Sequence, residues 1–289
     1  MTFLRLFLPI VTLVFLITPE VVAQEVLIGH TDVVSDAVFS PDGSLVATAS
    51  YDGIVRIWRA DDLSLRDSLI GHTARVTSVI FSPDGARILT VGDEPSLRIW
   101  SVATGDLIAN IPAASRVRFA DYNGDLIAAA VWNGTIGLYD GRDGRPIDTL
   151  YGHTSERLFA VTIGPNGRYV ASGGNDSTII LWDRSSGEAV REIRGHTGFI
   201  SVVRFNPDGD LLASADYAGG VRISRVNDGG LEHELLAHGD RVRTLDFSVD
   251  GARLLSSSFD ATARIYDVAA GQEIASITTH ERRLRAASF

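Results

Sequence analysis

The 289-residue chain is 45% apolar and 21% charged, the balance of a globular protein with ample material for a core. It has no cysteine, and all 26 basic residues are arginine. That excludes disulfides, thiolate nucleophiles, cysteine-ligated zinc or iron–sulfur clusters, and any P-loop, Schiff-base or kinase lysine. A formal net charge of −10 argues against nucleic acid as a partner, because duplex affinity comes largely from cationic neutralisation of phosphate.

In chain order, residues 1–23 come first. Arg5 precedes the apolar run Leu6–Thr18, Pro19 and Glu20 break it, and Val21-Val22-Ala23 offers small side chains. This is the pattern of a signal peptide cleaved after Ala23, which leaves a secreted or periplasmic protein beginning at Gln24. The alternative is an uncleaved anchor, but 13 residues fall short of the ~20 that span hydrocarbon. After cleavage no membrane contact is expected.

Residues 24–289 repeat one unit. Gly29-His30, Gly71-His72, Gly152-His153 and Gly195-His196 mark it, with weaker copies at Ala237-His238 and Thr279-His280. The copy expected near Ile111–Ala114 has lost the dipeptide. Repeats are expected near 29–70, 71–111, 112–151, 152–194, 195–236 and 237–278, with a partial one at 279–289. Each histidine is followed by a turn such as Pro41-Asp42-Gly43 or Asp250-Gly251, then a short apolar run. Next come an acidic or amide turn residue (Asp52, Glu94, Asn133, Asp176, Asp260) and an aromatic six positions later (Trp58, Trp100, Tyr139, Trp182, Tyr266). The fifth copy carries Ala218 and Ser224 at these two places. The intervening runs of four to six β-formers predict short antiparallel strands and no long helix.

The Gly-His starts, the Trp182-Asp183 ending and the ~42-residue step resemble the WD40-repeat family. The resemblance covers residues 25–289 and implies an all-β propeller of four-stranded blades around a channel. Six complete blades and an incomplete seventh are expected. It also implies a structural role for a recurring polar set: His30, Thr48, Asp52 and Trp58; His72, Thr90, Glu94 and Trp100; His153, Ser172, Asp176 and Trp182; His238, Ser256, Asp260 and Tyr266. A catalytic constellation is single, whereas this one recurs in blade after blade. Buried His, hydroxyl and carboxylate groups must satisfy one another. Blades three and five, lacking part of the set, are expected to open more readily.

No catalytic residue, metal ligand or cofactor is assigned. Asn133-Gly134-Thr135 and Asn175-Asp176-Ser177 read as turn chemistry rather than glycosylation, and Glu232-His233-Glu234 as a solvated outer strand. Function is expected on one rim. The residues just before the conserved turns include Tyr51, Trp132, Tyr217 and Phe259, and those three after the histidines (four in the case of Arg157) include Arg75, Arg157, Phe199 and Arg241. Aromatic and arginine side chains dominate binding hot spots, and arginine matches carboxylates, so a protein or peptide partner, acidic ones included, is expected. The bland alternative is inter-blade packing beneath solvated arginines. The expected function is therefore an exported, non-catalytic scaffold. A sensor or scaffold arm of a larger polypeptide is the alternative, and a propeller hydrolase ranks below both. Finally, Glu25–Ile28 and Arg283–Phe289 occupy the phases of an outer and an inner strand. They predict an open seam beside blade one, prone to self-association, with a closed six-bladed ring as the alternative.

Overall fold

A computed structural model describes residues 29–236, 238–278, 284 and 287–289. The signal segment and Glu25–Ile28 lie outside the described residues. Twenty-four strands follow in groups of four, each group an antiparallel meander. Blade one holds β1 (Val34–Phe39), β2 (Leu45–Ser50), β3 (Ile54–Arg59) and β4 (Leu65–Ile70). Blade two holds β5 (Val76–Phe81), β6 (Arg87–Gly92), β7 (Ser96–Ser101) and β8 (Leu107–Pro112). In blade three, β9 to β12 run Val117–Asn123, Leu126–Val131, Thr135–Asp140 and Pro146–Tyr151. In blade four, β13 to β16 run Leu158–Ile163, Tyr169–Gly174, Ile179–Asp183 and Ala189–Ile193. In blade five, β17 to β20 run Ile200–Phe205, Leu211–Asp216, Gly220–Arg225 and Leu231–Leu236. In blade six, β21 to β24 run Val242–Phe247, Arg253–Ser258, Ala263–Asp267 and Gln272–Ile277.

Burial follows strand order. The second strand of each blade is small and apolar because both its faces are covered. Leu126–Val131 is buried throughout. Fourth strands are solvated, and those of the first five blades each bury one apolar anchor, Leu69, Ile111, Leu150, Ile193 and Leu235, whereas β24 buries none. The core is divided among the interfaces between successive blades. Five apolar clusters join blades one to two, two to three, and onward to five to six. Trp182 packs with Leu138, Leu150 and Val161 in one of them, and Tyr266 with Val221 and Leu245 in another. Among the described residues no such cluster joins blade six to blade one.

The turn linking first and second strands carries a glycine at positive φ in all six blades, from 57° at Gly124 to 76° at Gly209. Side-chain-free residues enter that region at little cost. At the turn before the fourth strand, Gly105, Gly144, Gly187, Gly229 and Gly271 hold positive φ in five blades, whereas blade one places Leu63 there at 53°.

Polar staples join some neighbours. Asp36 of β1 accepts from Ser78 Oγ (2.9 Å) and Val79 N–H (3.2 Å) of β5. Asp121 of β9 accepts from Thr162 Oγ1 (3.0 Å) and Ile163 N–H (2.7 Å) of β13. Blades two and three share a strand bridge between Gly92 and Val117. The described residues near the C-terminus repeat this pattern against blade six: Leu284 N–H donates to Ser258 O (3.2 Å), Thr244 Oγ1 to Ala287 O (3.4 Å) and Phe289 N–H to Asp246 Oδ2 (2.9 Å). The last bond has the same strand positions as Ile163 on Asp121. Leu284, Ala287 and Phe289 thus lie where the inner strand of a seventh blade belongs.

A candidate binding rim at the channel mouth

Two polar layers lie at the ends of the inner strands. The deeper one holds the repeated His, hydroxyl and carboxylate groups. In blade four the Trp182 indole N–H donates to Ser172 Oγ (2.8 Å), the Ser172 hydroxyl meets His153 Nε2 (2.7 Å), and His153 Nδ1 meets Asp176 Oδ2 (2.8 Å). With the imidazole proton on Nδ1, every donor in this chain finds an acceptor. Blade one repeats it through Trp58, Thr48, His30 and Asp52 at 2.9, 2.8 and 2.9 Å. Blade two does so through Trp100, Thr90 and His72, with Glu94 as the carboxylate. In blade six His238 joins Ser256 (2.7 Å) and Asp260 (3.0 Å), and Tyr266 is buried where the indole stands elsewhere.

Burial, with the charge of Arg98 beside it, lowers His72 to about 4. Burial opposes the charge of Glu94, but hydrogen bonds from Thr73, Arg98 and His72 hold it at about 2. Both shifts favour a neutral imidazole on an ionised carboxylate, an arrangement that holds the turns through paired hydrogen bonds.

Blade five corrects one expectation. It does not lack the carboxylate. His196 meets Ser214 Oγ (2.8 Å) through Nε2 and Asp216 Oδ2 (2.9 Å) through Nδ1. Asp216 is the last residue of β18, two positions before Ala218, and it also accepts backbone N–H bonds from Gly198, Ala218 and Gly220. Only the indole is missing, replaced by Ser224.

The upper layer brings the expected rim residues together in pairs that cross blade boundaries. Arg75 of blade two lies over Tyr51 of blade one, 4.9 Å from its centroid. Arg157 of blade four lies 5.3 Å over Trp132 of blade three. Arg241 of blade six lies 3.9 Å over Tyr217 of blade five and 5.4 Å over Phe259 of its own blade. Phe199 stacks edge-on against Tyr217 at 5.8 Å. Arg75, Arg157 and Phe199 are exposed, while Tyr51, Trp132, Tyr217, Arg241 and Phe259 are half-buried.

The structure adds members that sequence reasoning missed. Arg116 and Arg118 also face Trp132, at 5.7 and 5.6 Å, and Phe159 meets it edge-on at 6.3 Å. Counting from histidines passed over Arg116, because copy three has none. Arg118, Phe159 and Arg243 lie two residues beyond Arg116, Arg157 and Arg241, within the bulges that open β9, β13 and β21. That recurrence of large side chains was a signal available in the sequence.

Elsewhere, Glu232 and Glu234 are ion partners of Arg225 (2.5 Å) and Arg222 (3.3 Å) on β19. No group of three metal-ligating side chains occurs among the described residues.

Comparison with known proteins gives the following. A family model described as WD domain, G-beta repeat matches residues 22–59, 63–101, 144–183, 187–223 and 229–267. The unmatched stretch between the second and third matches holds most of blade three, which lacks the histidine yet forms all four strands. The chain is 41% identical over 197 residues to small ribosomal subunit protein RACK1 of Caenorhabditis elegans, covering 65% of this chain and 59% of that protein. With the protein of the same name from Drosophila melanogaster it shares 39% over 206 residues, covering 69% and 64%. With the transcriptional corepressor LEUNIG_HOMOLOG of Arabidopsis thaliana it shares 32% over 192 residues, covering 65% and 24%. The chain therefore spans less than two thirds of the length of each of these relatives.

Proposed function

Because the chain belongs to the WD40-repeat family, we propose that it is an exported, non-catalytic propeller that binds a protein or peptide through the aromatic and arginine rim. The carrying observation is the pairing of three rim aromatics, each with an arginine of the following blade. Tyr51 with Arg75, Trp132 with Arg157, and Tyr217 with Arg241 hold apolar surface and guanidinium edges together at the channel mouth. An arginine stacked on a ring keeps its N–H edge free for a carboxylate, so acidic partner segments suit the site. The recurring His, hydroxyl and carboxylate sets are engaged in their own blades, which favours binding over catalysis. Export rests on the pattern of residues 1–23.

The test is affinity capture by exported protein whose N-terminus is sequenced. A chain starting at Gln24 is expected, and Arg75→Glu with Arg157→Glu should abolish capture while the melt stays near that of the parent. A chain starting at Met1 overturns the signal reading; undiminished capture by the double variant overturns the rim reading.

Self-association through the seam is a second reading, favoured by the absence, among the described residues, of an apolar cluster joining blades six and one.

A further inference from the structure

The innermost cations of the mouth have more charge than the protein compensates. Arg243 leaves blade six and lies 5.4 Å over the Phe119 ring of blade three, so its side chain crosses the channel. Arg118 of blade three and Arg241 of blade six lie in its electrostatic field and in one another's. Three guanidiniums from opposite walls thus share one small volume. Asp36 opposes Arg243, and Asp93 pairs with Arg118 at 3.0 Å. Arg241 has no carboxylate partner among the described residues, and its Nε is buried without a hydrogen-bond acceptor. Burial, with Arg243 and Arg118 adding like charge, lowers Arg241 to about 10.

The adjacent Trp132 Nε1 is a second buried donor without an acceptor. Asp32 and Asp240 in the neighbouring loops are exposed, where solvent screens their charge, and each accepts from the next residue's backbone N–H at 2.7 Å. Buried donors are ordinarily paired, and clustered cations are ordinarily compensated. Arg118, which faces the Trp132 ring at 5.6 Å and lies in the field of Arg241, links the two unanswered donors.

We propose that the channel mouth binds a compact free polyanion of the phosphate class, held by Arg118, Arg241 and Arg243 with the Trp132 indole N–H as a further donor. The size follows from Arg243: a passage bridged by one side chain admits a small group and no folded surface. The charge follows from three guanidiniums sharing two carboxylates. The shape follows from donors arriving from opposite walls. A tetrahedral oxyanion offers acceptors in several directions, whereas a planar carboxylate offers one bidentate edge. The site shares Arg241 and Trp132 with the rim of the scaffold reading, but pyrophosphate binding is measured without a protein partner, so the two readings fail separately.

The test is titration calorimetry of the whole chain with pyrophosphate and with citrate at constant ionic strength, paired with thermal melts. Pyrophosphate should give a saturable one-to-one isotherm and raise the melting temperature, with citrate at least tenfold weaker. Arg241→Gln should weaken pyrophosphate tenfold or more, while Arg142→Gln, an exposed residue paired with Asp125, should change nothing. Trp132→Phe keeps the ring, removes the donor and should weaken binding several-fold even if Arg241→Gln does not fold. No saturable heat with pyrophosphate, equal affinity for citrate, or undiminished affinity in Trp132→Phe overturns the proposal. Partner capture by the parent that Arg75→Glu with Arg157→Glu abolishes, with no pyrophosphate binding by the parent, would leave the scaffold reading standing and this one refuted.

Discussion

Asp216→Ala is the sharpest test of the hydrogen-bond layer, because simple spacing places the blade-five turn residue at Ala218. The carboxylate is 1% exposed and accepts from His196 Nδ1 (2.9 Å) and from the N–H groups of Gly198 (3.3 Å), Ala218 (2.9 Å) and Gly220 (2.9 Å). At ~1 kcal/mol net for each bond, truncation costs about 4 kcal/mol. A second route uses ionisation. Burial opposes the charge, but hydrogen bonds from His196 and Gly220 lower Asp216 from 3.8 to about 2. That shift is worth about 2 kcal/mol, present above pH 3.8 and lost as pH falls toward 2. Together they bracket a loss of about 2–4 kcal/mol, or roughly 5–15 °C in melting temperature for a chain this long. Urea and thermal unfolding, followed by circular dichroism, read it directly. Asp176→Ala should cost about 1–3 kcal/mol by the same reasoning, and exposed Asp106→Ala under ~0.5 kcal/mol. If Asp216→Ala melts with the parent, the blade-five chain contributes nothing and the reasoning fails.

Three further outcomes are expected. His72 falls from 6.5 to about 4 in the fold, so below pH 6.5 the unfolded chain takes up a proton that the folded one refuses. Stability should drop by about 3 kcal/mol between pH 6.5 and 4 from this group, and a flat urea midpoint over that range would contradict it. Leu63→Gly should raise stability by about 1 kcal/mol, since five other blades place glycine at that positive φ; a lower melting temperature would show that Leu63 packing outweighs backbone strain. Light scattering should detect dimers or larger species that change when residues 278–289 are deleted, and a monomer indifferent to the deletion would exclude seam association.

The propeller was legible because its landmarks are local. A turn glycine, a histidine and a closing aromatic recur in phase, and each is fixed by the geometry of its own blade. Asp216 escaped because the alignment demanded a carboxylate at a counted position, whereas His196 needs only an acceptor within reach. The strand end serves as well as the turn: Asp216 has the register of Ser50 and Ser258. The rim was half visible. Its members recur once per blade, but the crossing of Arg243 to Phe119 joins residues 124 positions apart in the sequence, and no periodicity carries that information.

The polar staples also give the disc a mechanical character. Asp36, the bond from Thr77 Oγ1 to Arg118 O (3.0 Å) and Asp121 tie blades one to four along their inner strands. Among the described residues, no comparable side-chain bond joins the inner strands of blades four to five or five to six. Blades one to four therefore form a stiff arc and blades five and six a compliant one. Under load the ring would hinge on the compliant side, widening the gap around Tyr217 and Arg241 while Trp132 and Arg157 hold their spacing. A bulky occupant would then strain one half of the mouth and leave the other as a fixed jaw.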